Sequence, residues 1–377
     1  MTKRLHILFL SSWYPSRVFP TNGDFVQRHA EAVHTKHQVS VVHVVTDPDL
    51  KQASQVSDET INGIRTIIVY LRSTNKLNKL RLFYSAYMNA LKQIGHFDVV
   101  HLNVTFPVGI LAYYLKRFWR KPYIVTEHWT NYQYPLNEMI SPSRKWLTKI
   151  IIKNAYTVCP VTSHLGLAMK EFGLKGNYTR IPNIVDTDHF IPTKNTSTDF
   201  TISHISHMGN EHKNVKGILR AIAAIQEQIP TLHTNLIGSN SKQYQDYINE
   251  LEIKDISVID QIPNAEVSTY LNASDVLILF SNFENLPCII LEAFSCGTPV
   301  ISTDVGGIKE YFPSEFGILI EAKDEQALQD AILHIYENKN NVDRDKMHQY
   351  AVHHFSANRI SEQFSDLYFQ SLQSNKV

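Results

Sequence analysis

Two successive series of short, β-branched apolar runs, separated by segments of helical periodicity, constrain this chain more than any other feature. The first series occupies 7–10, 39–45, 64–71, 99–102, 123–126 and 157–161; the second occupies 200–205, 232–237, 256–259, 276–280 and 299–302. Continuous apolar strands alternating with helices such as 218–228 predict parallel sheets covered on both faces. The expected fold class is α/β: two Rossmann-like, doubly wound domains facing each other across a cleft. A polar, aperiodic stretch at 192–199 separates the two series, so the domains are placed at 1–192 and 193–355. A last helix over 356–377 follows Ser356 as N-cap, with Ile360, Phe364, Leu367, Tyr368 and Leu372 at helical spacing. Ligands of open parallel sheets bind beyond the carboxyl ends of the strands, which directs attention to the loops there.

At 377 residues, two cores of ordinary size are expected. Lys plus Arg and Asp plus Glu both number 36, so nucleic acid is not an expected partner. Cys159, Cys288 and Cys296 form neither a disulfide framework nor a metal-ligand pair, and a reducing compartment fits them. The apolar run at 5–10 is short for a signal peptide, and no run is long enough to span a bilayer. A cytoplasmic location is therefore expected. Among the 18 histidines, His204, His207 and His212 invite a metal reading. The first two alternate across a strand, however, and no Cys or carboxylate joins them at ligand spacing, so no metal site is expected.

The most informative stretch runs from Ser281 to Ser302. It follows an apolar strand, and Pro287 and Gly297 suit the first turn and the stop of a helix over roughly 287–296. Glu284 then lies in the loop before the helix, and Glu292 lies on it amid apolar neighbours. Ionised carboxylates accept hydrogen bonds only, so the pair could grip the hydroxyls of a ribose and a sugar beside a helix N-terminus that attracts a diphosphate. The plainer reading is a solvated loop residue and an exposed helix position. A charge inside an apolar helix usually has a partner, which favours function.

Glu284 and Glu292, followed by Cys296-Gly-Thr-Pro-Val-Ile-Ser-Thr-Asp-Val-Gly-Gly-Ile-Lys-Glu310, resemble the signature of the family 4 retaining glycosyltransferases of GT-B fold. Arg180-Ile-Pro-Asn-Ile-Val-Asp-Thr-Asp-His-Phe190 and Ala273-Ser-Asp-Val-Leu-Ile-Leu-Phe-Ser281 resemble that family's interdomain segment and preceding strand. The resemblance implies an N-terminal acceptor domain, a C-terminal donor domain and a last helix crossing back to the first. It implies that Glu292 holds the ribose hydroxyls and Glu284 the transferred sugar. The turn at Gly306 and Gly307 and the backbone at Asn285 and Leu286 would supply amide donors.

By the same resemblance Lys213, and second to it Lys216, neutralises the donor diphosphate. Where the family often carries an arginine in a Gly-Arg-Leu segment, this chain reads Ser206-His-Met-Gly-Asn210. Either His207 or Asn210 then contacts the phosphate, or neutralisation leans more on Lys213. Thr126-Glu-His-Trp129 resembles the histidine motif beside the reacting sugar, making His128 the candidate there and Glu127 a candidate acceptor-side base. The segment 13–29 resembles the N-terminal glycine loop, with Gly23 its best match and Asp24 next to it; a capped helix start is the plainer reading and can hold at once. Asn103, after the strand ending at Leu102, faces the cleft if the topology holds.

The expected reaction is sugar transfer with retention from a nucleotide diphosphate sugar to a glycan or lipid-linked acceptor in cell-surface polysaccharide biosynthesis. No cofactor and no metal are required, because cationic groups already neutralise the diphosphate. The rivals are a sugar-nucleotide epimerase or phosphorylase of the same architecture, or a non-catalytic nucleotide-sugar binding protein. The last should have lost Lys213, Glu284 or Glu292, and all three are present. The absence of a G-x-G-x-x-G after the first strand disfavours a dinucleotide oxidoreductase. Basic amphipathic stretches at 72–83 and 144–153 can dock on an anionic inner membrane face; solvated helix faces are the commoner explanation.

Overall fold

The computed structural model of the chain describes residues 3–194 and 197–374, and of residues 76, 77 and 340 the backbone alone. The side chains of Lys76 and Leu77, the stretch 195–196 and the tail 375–377, all within segments named above, lie outside that description. The chain divides into two compact units, Met1–Ile184 with Ala357–Val377, and Val185–Ser356.

The first unit runs β1 (His6–Ser11), α1 (Asp24–His34), β2 (Gln38–Asp47), β3 (Ser54–Ile61), β4 (Ile64–Arg72), α2 (Lys76–Ile94), β5 (Val99–Asn103), α3 (Gly109–Trp119), β6 (Tyr123–Glu127), α4 (Pro142–Asn154), β7 (Val158–Pro160) and α5 (Ser163–Glu171). Its sheet has the order β3-β4-β2-β1-β5-β6-β7. All neighbours are parallel except β3, which pairs antiparallel with β4. β1, β5 and β6 are almost wholly buried, as strands covered on both faces must be.

The second unit runs β8 (Phe200–Ile205), α6 (Asn210–Lys213), α7 (Val215–Ile225), β9 (Leu232–Ile237), α8 (Gln245–Glu250), β10 (Ile256–Ile259), α9 (Asn264–Ala273), β11 (Val276–Leu279), α10 (Cys288–Cys296), β12 (Val300–Thr303), β13 (Gly317–Ile320), α11 (Glu325–Asn338) and α12 (Arg344–Phe355). These strands form a parallel sheet of order β10-β9-β8-β11-β12-β13. The final helix, α13 (Ala357–Ser374), belongs to the first unit. It packs on α1 and sinks Ile360, Phe364, Leu367 and Tyr368 into that unit's core. Tyr368 and Ser365 pair with the buried His101 and His37, at 2.7 and 2.9 Å.

The division falls at 184/185, ahead of the sequence-based boundary at 192/193. The reason lies in hydrogen bonds that tie 185–194 to the second unit. Val185 N donates to Phe355 O, Ser295 Oγ to Phe190 O, and Thr193 N to Asn272 Oδ1.

Candidate functional site

In the second unit the sequence builds a lysine–carboxylate pair from two loops. β8 ends at Ile205 and the chain turns through Gly209 into the single turn of α6; Asn214, at φ 49°, then breaks the path before α7 begins. The loop after β11 is fastened to this segment, for Asn282 N donates to His212 O at 2.7 Å and Asn282 Nδ2 to Glu211 O at 2.9 Å. With the loops joined, Lys213 Nζ forms an ion pair with Glu284 Oε1, which also accepts from Ser281 Oγ at 2.8 Å. Both ends are largely shielded, the side chains being 20% and 10% exposed. Shielding from water strengthens such a pair relative to a surface one.

Gly306 sits against the same loop. At φ 61° it occupies the left-handed region, and a Cβ there would lie 1.9 Å from Glu284 O, so only glycine allows the approach. Gly307 N donates to Asn285 O at 3.2 Å, locking the two turns together. α10 starts one residue after Pro287 and ends at Gly297, which takes φ 69°, as the breaker residues predict. On it Glu292 is 3% exposed and accepts from Asn264 Nδ2, at the start of α9, at 3.3 Å. A carboxylate so buried in an apolar helix is not a solvated position, which removes the plainer reading of Glu292.

The other expected phosphate ligands do not gather at this pair. Lys216 shares the outward face of α7 with Arg220, and its ammonium lies 4.9 Å from the Tyr247 ring centroid, while Arg220 bonds Tyr247 and Glu325. Asn210 Oδ1 accepts from Lys216 N at 3.0 Å, so its carboxamide caps the start of α7. His207 is exposed. His204 is a core residue, bonded to Ile278 O and Ser206 Oγ, with a pKa pulled down to about 4 by burial. Among the described residues no cluster of His, Cys, Asp and Glu has the form of a metal site.

In the first unit the strand ends carry a second constellation. Glu127 closes β6 with no exposed surface; Oε2 accepts from Thr105 N and Oγ1 at 3.0 and 2.6 Å, and Oε1 from His128 N and Trp129 N, each at 3.0 Å. Burial pushes its pKa up against the pull of those four donors. The carboxylate thus clamps the β5 and β6 loops together rather than presenting a base to an acceptor, which corrects the expectation for Glu127. Val104, one residue before the clamped Thr105, holds φ 61°, a costly conformation for a β-branched residue.

The clamp fixes His128, which is 8% exposed, with its ring 4.2 Å from that of Phe25 on α1 and 5.6 Å from that of His29. Burial, then the nearby His29 and His101, hold its pKa well below the usual histidine value, opposed by a hydrogen bond with Asn183. The imidazole is therefore neutral near pH 7 and suited to hydrogen bonding rather than to carrying charge. Gly23, at φ 82°, precedes α1, and a Cβ on it would meet the Trp13 carbonyl carbon at 2.5 Å. This glycine is required by the folding of its own loop. Asp24 accepts from Phe25 N and pairs with Arg28. Asn103 is wholly buried, donates to His101 O, and leaves Oδ1 without a hydrogen-bond partner. Sequence reasoning missed Ser281, Asn282, Asn264 and Thr105, small polar residues whose roles depend on partners far along the chain.

Two doubly wound units of this kind make up the GT-B fold. The chain superposes on a sucrose-phosphate synthase from Thermosynechococcus elongatus with a TM-score of 0.79 at 19% identity, covering 98% of this chain and 100% of that one. It superposes on Anabaena HepE, solved with UDP and glucose, with a TM-score of 0.75 at 17% identity, covering 97% and 100%. The family model described as Glycosyltransferase Family 4 matches residues 24–189, and Glycosyl transferases group 1 matches 186–354. The chain belongs to the family 4, group 1 glycosyltransferases and is a glycosyltransferase. Among its relatives are TuaC of Bacillus subtilis (strain 168), assigned to teichuronic acid biosynthesis and 25% identical over 87% of this chain and 88% of that one. Another is the Escherichia coli UDP-Gal:alpha-D-GlcNAc-diphosphoundecaprenol alpha-1,3-galactosyltransferase, 24% identical over 77% and 79%.

Proposed function

We propose that this glycosyltransferase moves a sugar from a nucleotide diphosphate donor, with retention, onto a glycan or lipid-linked acceptor in cell-surface polysaccharide assembly. The observation that carries the reading is the shielded Lys213–Glu284 pair with the Gly306 backbone against it. A donor diphosphate entering there meets an ammonium and backbone amides, which together stabilise the departing nucleoside diphosphate. Glu284 then turns its carboxylate to the hydroxyls of the transferred sugar, and Glu292 accepts from the ribose. These groups leave no need for a metal or other cofactor. Neutral His128 serves as a hydrogen-bonding partner of the sugar in the first unit.

Names of relatives support the substrate classes: HepE was solved with UDP-glucose, and the Escherichia coli relative acts on a diphosphoundecaprenol-linked sugar. Three cysteines, two of them buried and none in a disulfide among the described residues, fit a cytoplasmic enzyme. The deciding experiment is a calorimetric and thermal-shift panel of UDP, GDP, ADP and their sugars against wild type and Glu292→Ala. One nucleotide should bind, without added metal and with EDTA present, and binding should fall at least tenfold in the variant, as expected for lost bonds to a charged acceptor. No binding to either protein would sink the donor site. Inversion of the anomeric centre in the product, read by NMR, would sink retention.

A further inference from the structure

The chain as a whole is electrically balanced, yet one face of the first unit is not. Its sheet order carries the chain from β1 to β2 through α1 in one direction, and from β4 to β5, β6 and β7 through α2, α3 and α4 in the other. Right-handed crossovers that reverse direction change face, so α2, α3 and α4 cover one side of the sheet and α1, with α13 packed on it, the other. Over the 19, 11 and 13 residues of α2, α3 and α4 there is not one Asp or Glu. The same helices present exposed Lys79, Arg81, Lys92, Arg117, Lys149 and Lys153. α1 and α13, by contrast, carry Asp24, Glu31, Glu362 and Asp366. Segregation to this degree in a chain with 36 charges of each sign is not what solubility alone requires.

Large apolar side chains stand among those cations. Phe118 is 66% exposed and Trp146 62%, and the Tyr114 ring lies 4.8 Å from that of Phe118, tilted by 38°. The face is built on contacting helices: Lys116 Nζ donates to Asn154 O, and Gly109 lets α3 close on Ile151 of α4. Three helices with exposed cations, no carboxylates of their own and protruding aromatic rings match an anionic bilayer surface, which attracts the cations and takes the rings at headgroup depth. Nucleic acid would use the cations but gives no reason for Phe118 and Trp146 to protrude singly from helices.

We infer that the α2–α3–α4 face of the first unit docks on anionic lipid bilayers. This adds a partner to the lipid-linked-acceptor reading and rests on it only for its biological purpose. The test uses the full chain, sedimented with vesicles of phosphatidylcholine alone and of phosphatidylcholine with phosphatidylglycerol. Wild type should bind the second kind only, less as salt rises. R117Q/K149Q/K153Q should lose about a hundredfold in partitioning, since each juxtamembrane cation is worth roughly fivefold. F118A/W146A should weaken binding with no change in its salt dependence, while K242Q/K254Q/K346Q, in the second unit, should bind as wild type.

Failure of wild type to bind phosphatidylglycerol vesicles would overturn the inference, as would equal losses in the two lysine-containing triples. Duplex DNA competing the vesicles off at equal concentration would show a nucleic-acid surface instead. Because the first triple leaves the sites untouched, it should keep wild-type transfer to a water-soluble acceptor. If vesicle binding stands while no lipid-linked acceptor is used, the docking face survives and the acceptor reading fails.

Discussion

Removing the Glu127 carboxylate should destabilise the first unit by an amount that depends on how many of its four donors are stranded. In Glu127→Gln the amide oxygen can still accept from His128 N and Trp129 N, and the Thr105 hydroxyl can rotate to accept from the new NH2. Only Thr105 N is left facing a donor, at a cost of about 1–3 kcal/mol, and two charge-assisted bonds become neutral ones. Against this, the buried charge no longer has to be desolvated, so the net loss is about 2 kcal/mol. In Glu127→Ala three backbone N–H groups lose their acceptor and a void opens, for about 4 kcal/mol. The assay is specific, because Trp13, Trp119, Trp129 and Trp146 all lie in the first unit, so tryptophan fluorescence in urea follows that unit alone. Transfer should fall with both variants, since His128 and the strained turn at Val104 lose their anchor. Stabilities of both variants within about 0.5 kcal/mol of wild type would refute the clamp, such a change being what an ordinary surface substitution gives. Transfer abolished in Glu127→Gln at unchanged stability would restore the acceptor-side base.

Acid should unfold the first unit before the second. Buried His29 and His43 there titrate near 4 when folded against an ordinary 6.5, and burial holds His101 and His128 well below that value, whereas in the second unit burial lowers His204, to about 4. The unfolded state binds the extra protons, so stability is full above pH 6.5 and falls as pH drops toward 4, by about 3 kcal/mol per such histidine; tryptophan fluorescence should therefore change at higher pH than far-UV circular dichroism, and coincident transitions would contradict this. Gly306→Ala must push the Glu284 carbonyl aside, and should raise the donor KM more than tenfold while lowering the calorimetric transition of the second unit; an unchanged KM would show that the loop yields freely. Lys213→Ala should lower kcat by about 10²–10³ if the ammonium acts on the leaving group, with Glu284 still held by Ser281; a change confined to KM would assign Lys213 to binding alone.

What the sequence disclosed and what it concealed divide along a physical line. Strands buried on both faces are rich in apolar residues, so β1 and β11 stand out in the one-dimensional pattern; β3 lies at the sheet edge with polar residues on either side, and no apolar run marks it. The helix stop at Gly297 was equally readable, because the left-handed turn it makes is a local demand, whereas the need for Gly306 to clear the Glu284 carbonyl was not. Properties assembled from distant segments were not. Lys213 and Lys216 look interchangeable in a string, yet the left-handed Asn214 between them breaks the helix, and one lysine reaches Glu284 and the other Tyr247. Glu127 reads as a free carboxylate until Thr105, 22 residues upstream, is seen to donate to it twice. The basic face is the extreme case. Two of its helices were visible as separate basic stretches and α3 was overlooked. A balanced total charge hides segregation completely, because only the handedness of three crossovers brings those helices to one side.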